Sequence, residues 1–177
     1  MPVGQVGQLL PRTELAEHGY YVLVPNLYYR HGPAPVIELP EHIGEEIRPA
    51  VFTQLMPLIE AHTTERALRD ADSYLRFLTT QPEVSAGPVA VTGYCMGAVL
   101  AMRTAAAHPE QVAAVAGFHP GPLVTDAPDS PHRLVPNLTA RVHLGLAEND
   151  LTVRPGRGGP GPGRGRGRCV CSLSGGG

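Results

Sequence analysis

The chain has 177 residues, 42% of them hydrophobic, which suffices for one compact domain with a real core and leaves too little for a second of ordinary size. Its formal net charge of −2 hides an asymmetry: all 16 acidic residues and nine arginines precede Arg154, so the body carries −7 and the tail +5, without a single lysine. A body this acidic argues against a nucleic-acid binder, and the longest uncharged apolar stretch, Gly87 to Met102, is too short and too rich in glycine for a membrane span.

The first residues, Met1-Pro2-Val3-Gly4-Gln5, have neither the basic start nor the apolar block of a secretory signal. The three cysteines do not suggest a disulfide framework, so the cytoplasm is the expected compartment. Glu14-Leu15-Ala16-Glu17-His18-Gly19 reads as a helix ending on glycine, followed by a buried strand, Tyr20 to Pro25. Between Glu41 and Ala61 the positions Ile43, Ile47, Val51, Leu55, Leu58 and Ile59 recur at helical spacing, broken by Pro49 and Pro57, which predicts one kinked helix or two short ones. From Thr64 an amphipathic helix is expected, with Leu68, Ala71, Leu75 and Leu78 on its apolar face and Arg66, Arg69, Asp70 and Asp72 elsewhere.

Pro88-Val89-Ala90-Val91-Thr92 predicts a strand, Gly93 to Gly97 a turn, and Ala98 to Ala107 a helix that stops at His108-Pro109. Further strands are expected at Val112–Phe118 and Arg141–Leu146, with a proline- and aspartate-rich loop between them. Apolar strands alternating with helices predict an α/β fold with a mostly parallel sheet and helices on both faces, whose ligands bind at the carboxyl ends of the strands. After Val153 the composition turns abruptly to Gly, Arg and Pro, so 1–153 is expected as the domain and 154–177 as a disordered tail. Codons built of G and C encode glycine, proline, arginine and alanine, and the tail reads as a GC-rich gene translated out of frame. The competing reading is an Arg/Gly segment that associates with RNA. Cys169 and Cys171 supply only half of a usual structural zinc site, and no metal or other cofactor is expected.

The chemistry centres on Gly93-Tyr94-Cys95-Met96-Gly97. A sharp strand-to-helix turn flanked by glycines is the nucleophile elbow, usually G-x-S-x-G and here with cysteine at its centre. Cys95 would open a helix, where the dipole and the first amides stabilise negative charge, and the Met96 amide would point at the oxyanion formed on attack. An elbow nucleophile requires an acid and then a histidine later in the chain. Asp150, in Ala147-Glu148-Asn149-Asp150 after an apolar strand, is the expected acid, with Glu148 in the turn and helix capping as the alternative role for Asp150. No histidine follows Asp150. Of the eight present, His108 and His143 read as structural, and His119, at the end of a strand on the correct edge, is the only stand-in.

Three pieces in order, His18 to Arg30 (with Leu27-Tyr28-Tyr29-Arg30), Val91 to Gly97, and Ala147 to Asp150, resemble the dienelactone hydrolase family of α/β-hydrolases. The resemblance implies a Cys-His-Asp triad that cleaves a small-molecule ester or lactone through an acyl-enzyme without a metal. It also implies that Arg30 pairs with a substrate carboxylate, the alternative being an exposed, solvated arginine. Relative to that family the opening strands and the closing strand, helix and histidine are missing, so a partial α/β-hydrolase fold is expected, inactive as written. The second hypothesis is a non-catalytic ligand-binding or RNA-associating protein that keeps the fold. Oligomeric state is not legible in the sequence.

Overall fold

The computed structural model describes residues 10–40, 43–146 and 169–173. They belong to two compact units, Met1–Ser85 and Ala86–Gly177.

In the first unit, helix α1 (Leu10–Glu17) stops where expected. Gly19 takes φ +83°, a conformation glycine adopts without steric cost, and its N–H donates to the Ala16 carbonyl at 3.0 Å. The segment Tyr20–Pro25, expected as a buried strand, is irregular, with Tyr20 65% and Tyr21 44% exposed. A strand exists only through a ladder with a partner, and the described residues of this unit contain no other strand. Helix α2 (Arg48–Ala61) is continuous: Pro49 sits in its first turn, where a missing N–H costs nothing, and Pro57 is accommodated inside it. Thr63 caps helix α3 (Thr64–Thr79) by accepting from the Arg66 N–H at 3.4 Å. Ala71 and Leu75 are buried as the periodicity requires, while the ion pairs Arg69–Glu65 and Arg76–Asp72 brace the exposed face. Asp70 departs from the pattern. It is 5% exposed, although the spacing puts it off the apolar face.

The second unit carries the sheet, in the order β1-β2-β3-β4. Strands β1 (Val89–Tyr94), β2 (Val112–Phe118) and β3 (Arg141–Leu146) are parallel, with Tyr94 opposite Phe118 and Phe118 opposite Gly145. Helix α4 (Met96–Ala107) connects β1 to β2 and packs on both, burying Ala98, Ala101, Met102 and Ala105 against Val112, Val115 and their neighbours. Alanine at these positions lets the helix axis lie close to the sheet. Of the two helical layers expected, the described residues of this unit supply that one. The loop after β2 is tied down by the 3-10 segment Pro131–Asn137. Within the stretch expected to be structureless, Cys169–Leu173 forms β4, antiparallel to β3. Arg168 to Ser174 is the part of that stretch without glycine or proline, so backbone entropy and missing N–H groups do not oppose pairing there. Among the described residues no helix is long and apolar enough to cross a membrane.

What positions the site is the approach of β1 to the start of α4. A Cβ on Gly93 would fall on the carbonyl carbon and oxygen of Gly97 and lie 2.7 Å from Ala98 N, whereas a Cβ on Gly97 would meet nothing within 4 Å. Of the two glycines that flank the turn, the first is therefore the one that sterics require. Gly93→Ala is expected to cost about 3 kcal/mol, because rigid backbone cannot yield, while Gly97→Ala changes stability by less than about 1 kcal/mol. Urea unfolding of the two variants checks this contrast, and equal midpoints would refute it.

Candidate active site

Cys95 is the single residue between β1 and α4. Its backbone is at φ 52°, ψ −122°, in the left-handed half of conformational space that an L-residue enters at a cost of about 1–3 kcal/mol. The conformation is held from both sides. The Cys95 N–H donates to the Phe118 carbonyl at 3.0 Å, extending the β1–β2 ladder by one residue, and its carbonyl accepts from the Ala98 N–H at 3.0 Å, closing the first turn of α4. The thiol is free and exposed. Met96, the first residue of α4, puts its amide at the helix N-terminus beside the thiol-bearing residue. Strand, strained cysteine and helix thus form the elbow that the spacing predicts.

His119 occupies the matching position one strand over. It directly follows Phe118, is exposed, and, like Cys95, has a positive φ, at 37°. Its N–H donates to the Gly145 carbonyl at 2.7 Å, and its ring lies 6.2 Å from that of Tyr94, which in turn stacks on Phe118 at 5.1 Å. Because β1 and β2 are parallel and paired Tyr94 to Phe118, Cys95 and His119 leave the sheet at the same carboxyl edge. Strand β3 ends on that edge too, at Leu146. Glu148 and Asp150, beyond it, lie outside the described residues, as does the tail between Arg154 and Arg168.

A serine–histidine contact belongs to the loop after β2. Ser130 Oγ is 2.8 Å from His132 Nδ1 and accepts from the Thr125 N–H at 2.8 Å. Ser130 is 1% exposed, so no substrate reaches it, and the contact folds the Pro120–Asn137 segment. Arg103 of α4 ties the same loop down through Asp129 at 2.7 Å. Among the described residues no three His, Cys, Asp or Glu side chains gather into a group that could hold a metal ion.

Arg30 lies in the first unit, in the 3-10 turn Tyr29–His31. Asn26 builds the turn's approach, its side chain accepting from the Tyr28 N–H at 3.0 Å and donating to the Gly32 carbonyl at 3.3 Å. The carboxylate that Arg30 meets is Asp70 of α3. Nη1 donates to Oδ2 at 2.6 Å and Nη2 to Oδ1 at 2.7 Å, while the Tyr29 hydroxyl donates to Oδ1 at 3.2 Å. The Arg30 Cζ stands 4.5 Å from the centroid of the Tyr29 ring. Bidentate pairing explains why Asp70 is buried against its amphipathic pattern: the charge is matched and both oxygens are satisfied. The sequence signal for this pair is faint. Asp70 is one of two acids flanking Ala71, off the apolar face by its spacing, and its partner is an arginine forty residues earlier.

Around the pair the polar groups are less well served. His62 Nε2 and the Tyr74 hydroxyl are buried without a hydrogen-bond partner among the described residues. Burial, followed by the charge of Asp70, pushes the Tyr74 hydroxyl up to about 12. Tyr29 and Tyr74 also line an apolar groove of about 350 Å³ with Leu23, Pro25, Asn26 and Phe77. The hydrogen bonds from Arg30 hold the Asp70 carboxyl below its ordinary range, against the opposing effect of its burial, and desolvation holds His62 below the ordinary histidine value.

Both shifts mean that the folded protein binds protons less readily than the unfolded chain. The stabilisation is therefore full above each group's ordinary pKa and drains as the pH falls, below about 6.5 for His62 and below about 4 for Asp70. Urea midpoints measured at about pH 8, about pH 5.5 and about pH 3.5 should decline in that order, and His62→Gln should shrink the first step. An unchanged first step in that variant would show that His62 does not titrate with folding.

A family model described as the dienelactone hydrolase family matches residues 10–157. Among curated proteins, the carboxymethylenebutenolidase of Pseudomonas sp. (strain P51) is 34% identical over 92 residues, covering 52% of this chain and 35% of that protein. The carboxymethylenebutenolidases of Pseudomonas putida and Pseudomonas knackmussii are each 30% identical over 92 residues, covering 52% of this chain and 36% of theirs. The matched stretch thus spans about a third of the length of these relatives. No solved structure matches.

Proposed function

This chain belongs to the dienelactone hydrolase family, and from that premise we propose that it carries the nucleophile of a small-molecule ester or lactone hydrolase, Cys95, on its elbow. The observation that carries the reading is the left-handed backbone of Cys95 at the joint of β1 and α4, with its thiol exposed. Strain of this kind is retained where a side chain must be presented at a fixed point. The thiolate attacks the carbonyl carbon and the Met96 amide stabilises the oxyanion; as it collapses the C–O bond breaks and the departing alkoxide takes a proton from water, leaving a thioester that a second water cleaves to the carboxylic acid and the free thiol. Asp150 takes the place of the acid that, in a complete triad, orients the histidine base. Arg30 receives a substrate carboxylate, a role suited to the relatives' name, which denotes a butenolide lactone bearing a carboxymethylene group. A nucleophilic thiol is kept reduced in the cytoplasm, the compartment we assign.

The 177 residues contain no histidine after Asp150 to serve as the base. Loss of one triad member typically removes several powers of ten in rate, so the chain by itself is expected to show no burst with p-nitrophenyl acetate. An outside base separates the nucleophile's competence from the missing histidine. With imidazole added, mass spectrometry should find an acetyl thioester on Cys95 that is absent from Cys95→Ser. Acetylation spread equally over Cys95, Cys169 and Cys171 would refute the elbow's role, and a burst without imidazole would show that a base such as His119 is already in place.

The tail carries a simpler test of its origin. Translating the coding DNA beyond codon 153 in the two other frames is expected to yield a strand, a helix and a histidine, and a frame without them would make the Gly/Arg segment genuine.

A further inference from the structure

Asp70 has no place in the nucleophile chemistry, yet its carboxylate is bonded by three donors. It takes both Nη donors of Arg30, at 2.6 and 2.7 Å, and the Tyr29 hydroxyl at 3.2 Å, and it is 5% exposed. The Arg30 side chain is 32% exposed, so the guanidinium reaches from a buried anchor to solvent. We propose that Asp70 is a positioning residue for Arg30, fixing the guanidinium so that its other donors meet the carboxylate of the ester or lactone substrate. The inference rests on the reading of Arg30 as the substrate-carboxylate residue.

The geometry supplies the reason. A guanidinium has five N–H donors in one plane, and Asp70 occupies two on the edge between Nη1 and Nη2, which leaves the edge that includes Nε pointing elsewhere. The two-point fork fixes the plane, and the Tyr29 ring, 4.5 Å from Cζ, supports its face. An unrestrained arginine would lose its rotamer freedom at the moment of binding, whereas this one has lost it on folding. Asp70 also cancels the charge of Arg30, so the site gains direction and not net attraction. A ligand recognised this way is selected by the placement of its carboxylate.

Two other roles for Asp70 give different results in one experiment. The full chain is titrated calorimetrically with 5-oxotetrahydrofuran-2-carboxylate, a lactone acid, and with its uncharged methyl ester. The parent should prefer the acid, and Arg30→Met should abolish the preference. A parent without preference, or a preference kept in Arg30→Met, sinks the Arg30 reading itself. Given that preference, Asp70→Asn, which keeps shape and removes charge, and Asp70→Glu, which keeps charge and moves the carboxylate, should each lower it about tenfold while ester binding is unchanged. A tether that only holds the turn would weaken both ligands alike. An Asp70 that competes with the ligand would give tighter acid binding in Asp70→Asn. Either result, or an unaltered preference in both variants, overturns the positioning role and leaves Arg30 standing. Should Asp70→Asn fail to fold, Tyr29→Phe removes one bond to the same carboxylate and should lower the preference about two- to threefold, with no change counting against the proposal.

Discussion

The site depends on the contact between the backbone of Gly93 and that of Gly97. A strand can pass into a helix within one residue only if the helix's first turn folds back onto the strand's last, and the space for a Cβ at Gly93 is taken by the Gly97 carbonyl. Closeness at that point forces Cys95 out of both strand and helix geometry, and the ladder bond to Phe118 on one side and the turn bond to Ala98 on the other hold it there. Alanines along α4 complete the arrangement by letting the helix lie low on β1 and β2, with Ala98 itself fully buried. The exposed thiol is thus a consequence of backbone packing, and few side chains take part.

Much of this was legible in the sequence. The runs Val112–Phe118 and Arg141–Leu146 are strands with the bounds that their composition suggests, because short apolar runs bounded by turn residues have few other uses. The elbow was legible for a related reason: glycine, cysteine and glycine at a strand–helix junction are constrained locally, by five consecutive residues. Tyr20–Pro25 was misjudged because strand propensity describes fitness for a sheet and cannot supply the neighbouring strand. Cys169–Leu173 was misjudged in the opposite direction, since the composition of a whole tail averages over the short segment able to pair. Gly97 shows a finer limit. The motif treats its two glycines alike, and the steric requirement falls on Gly93.

Asp70 illustrates what local patterns omit altogether. Its burial follows from Arg30, a residue forty positions away, and no periodicity within α3 announces it. The same holds for Ser130, whose burial and contact with His132 make it a fastening of the loop although serine beside histidine reads as chemistry. Accessibility distinguishes these groups: the thiol of Cys95 is open to solvent, the hydroxyl of Ser130 is closed to it, and the Arg30 side chain runs from the buried Asp70 to solvent.

The order of the strands has a consequence for handling the protein. Among the described residues β1 is the outermost strand of the sheet, with β2 on one side of it and no ladder on the other. An outer strand exposes a row of backbone donors and acceptors, and Val89-Ala90-Val91-Thr92-Gly93-Tyr94 carries no charge or proline to discourage a second chain from adding to it. The six residues that lead into Cys95 are therefore also an unpaired sheet edge, the kind of surface on which a second strand can add, so the presentation of the thiol and the exposure of the edge fall on a single strand.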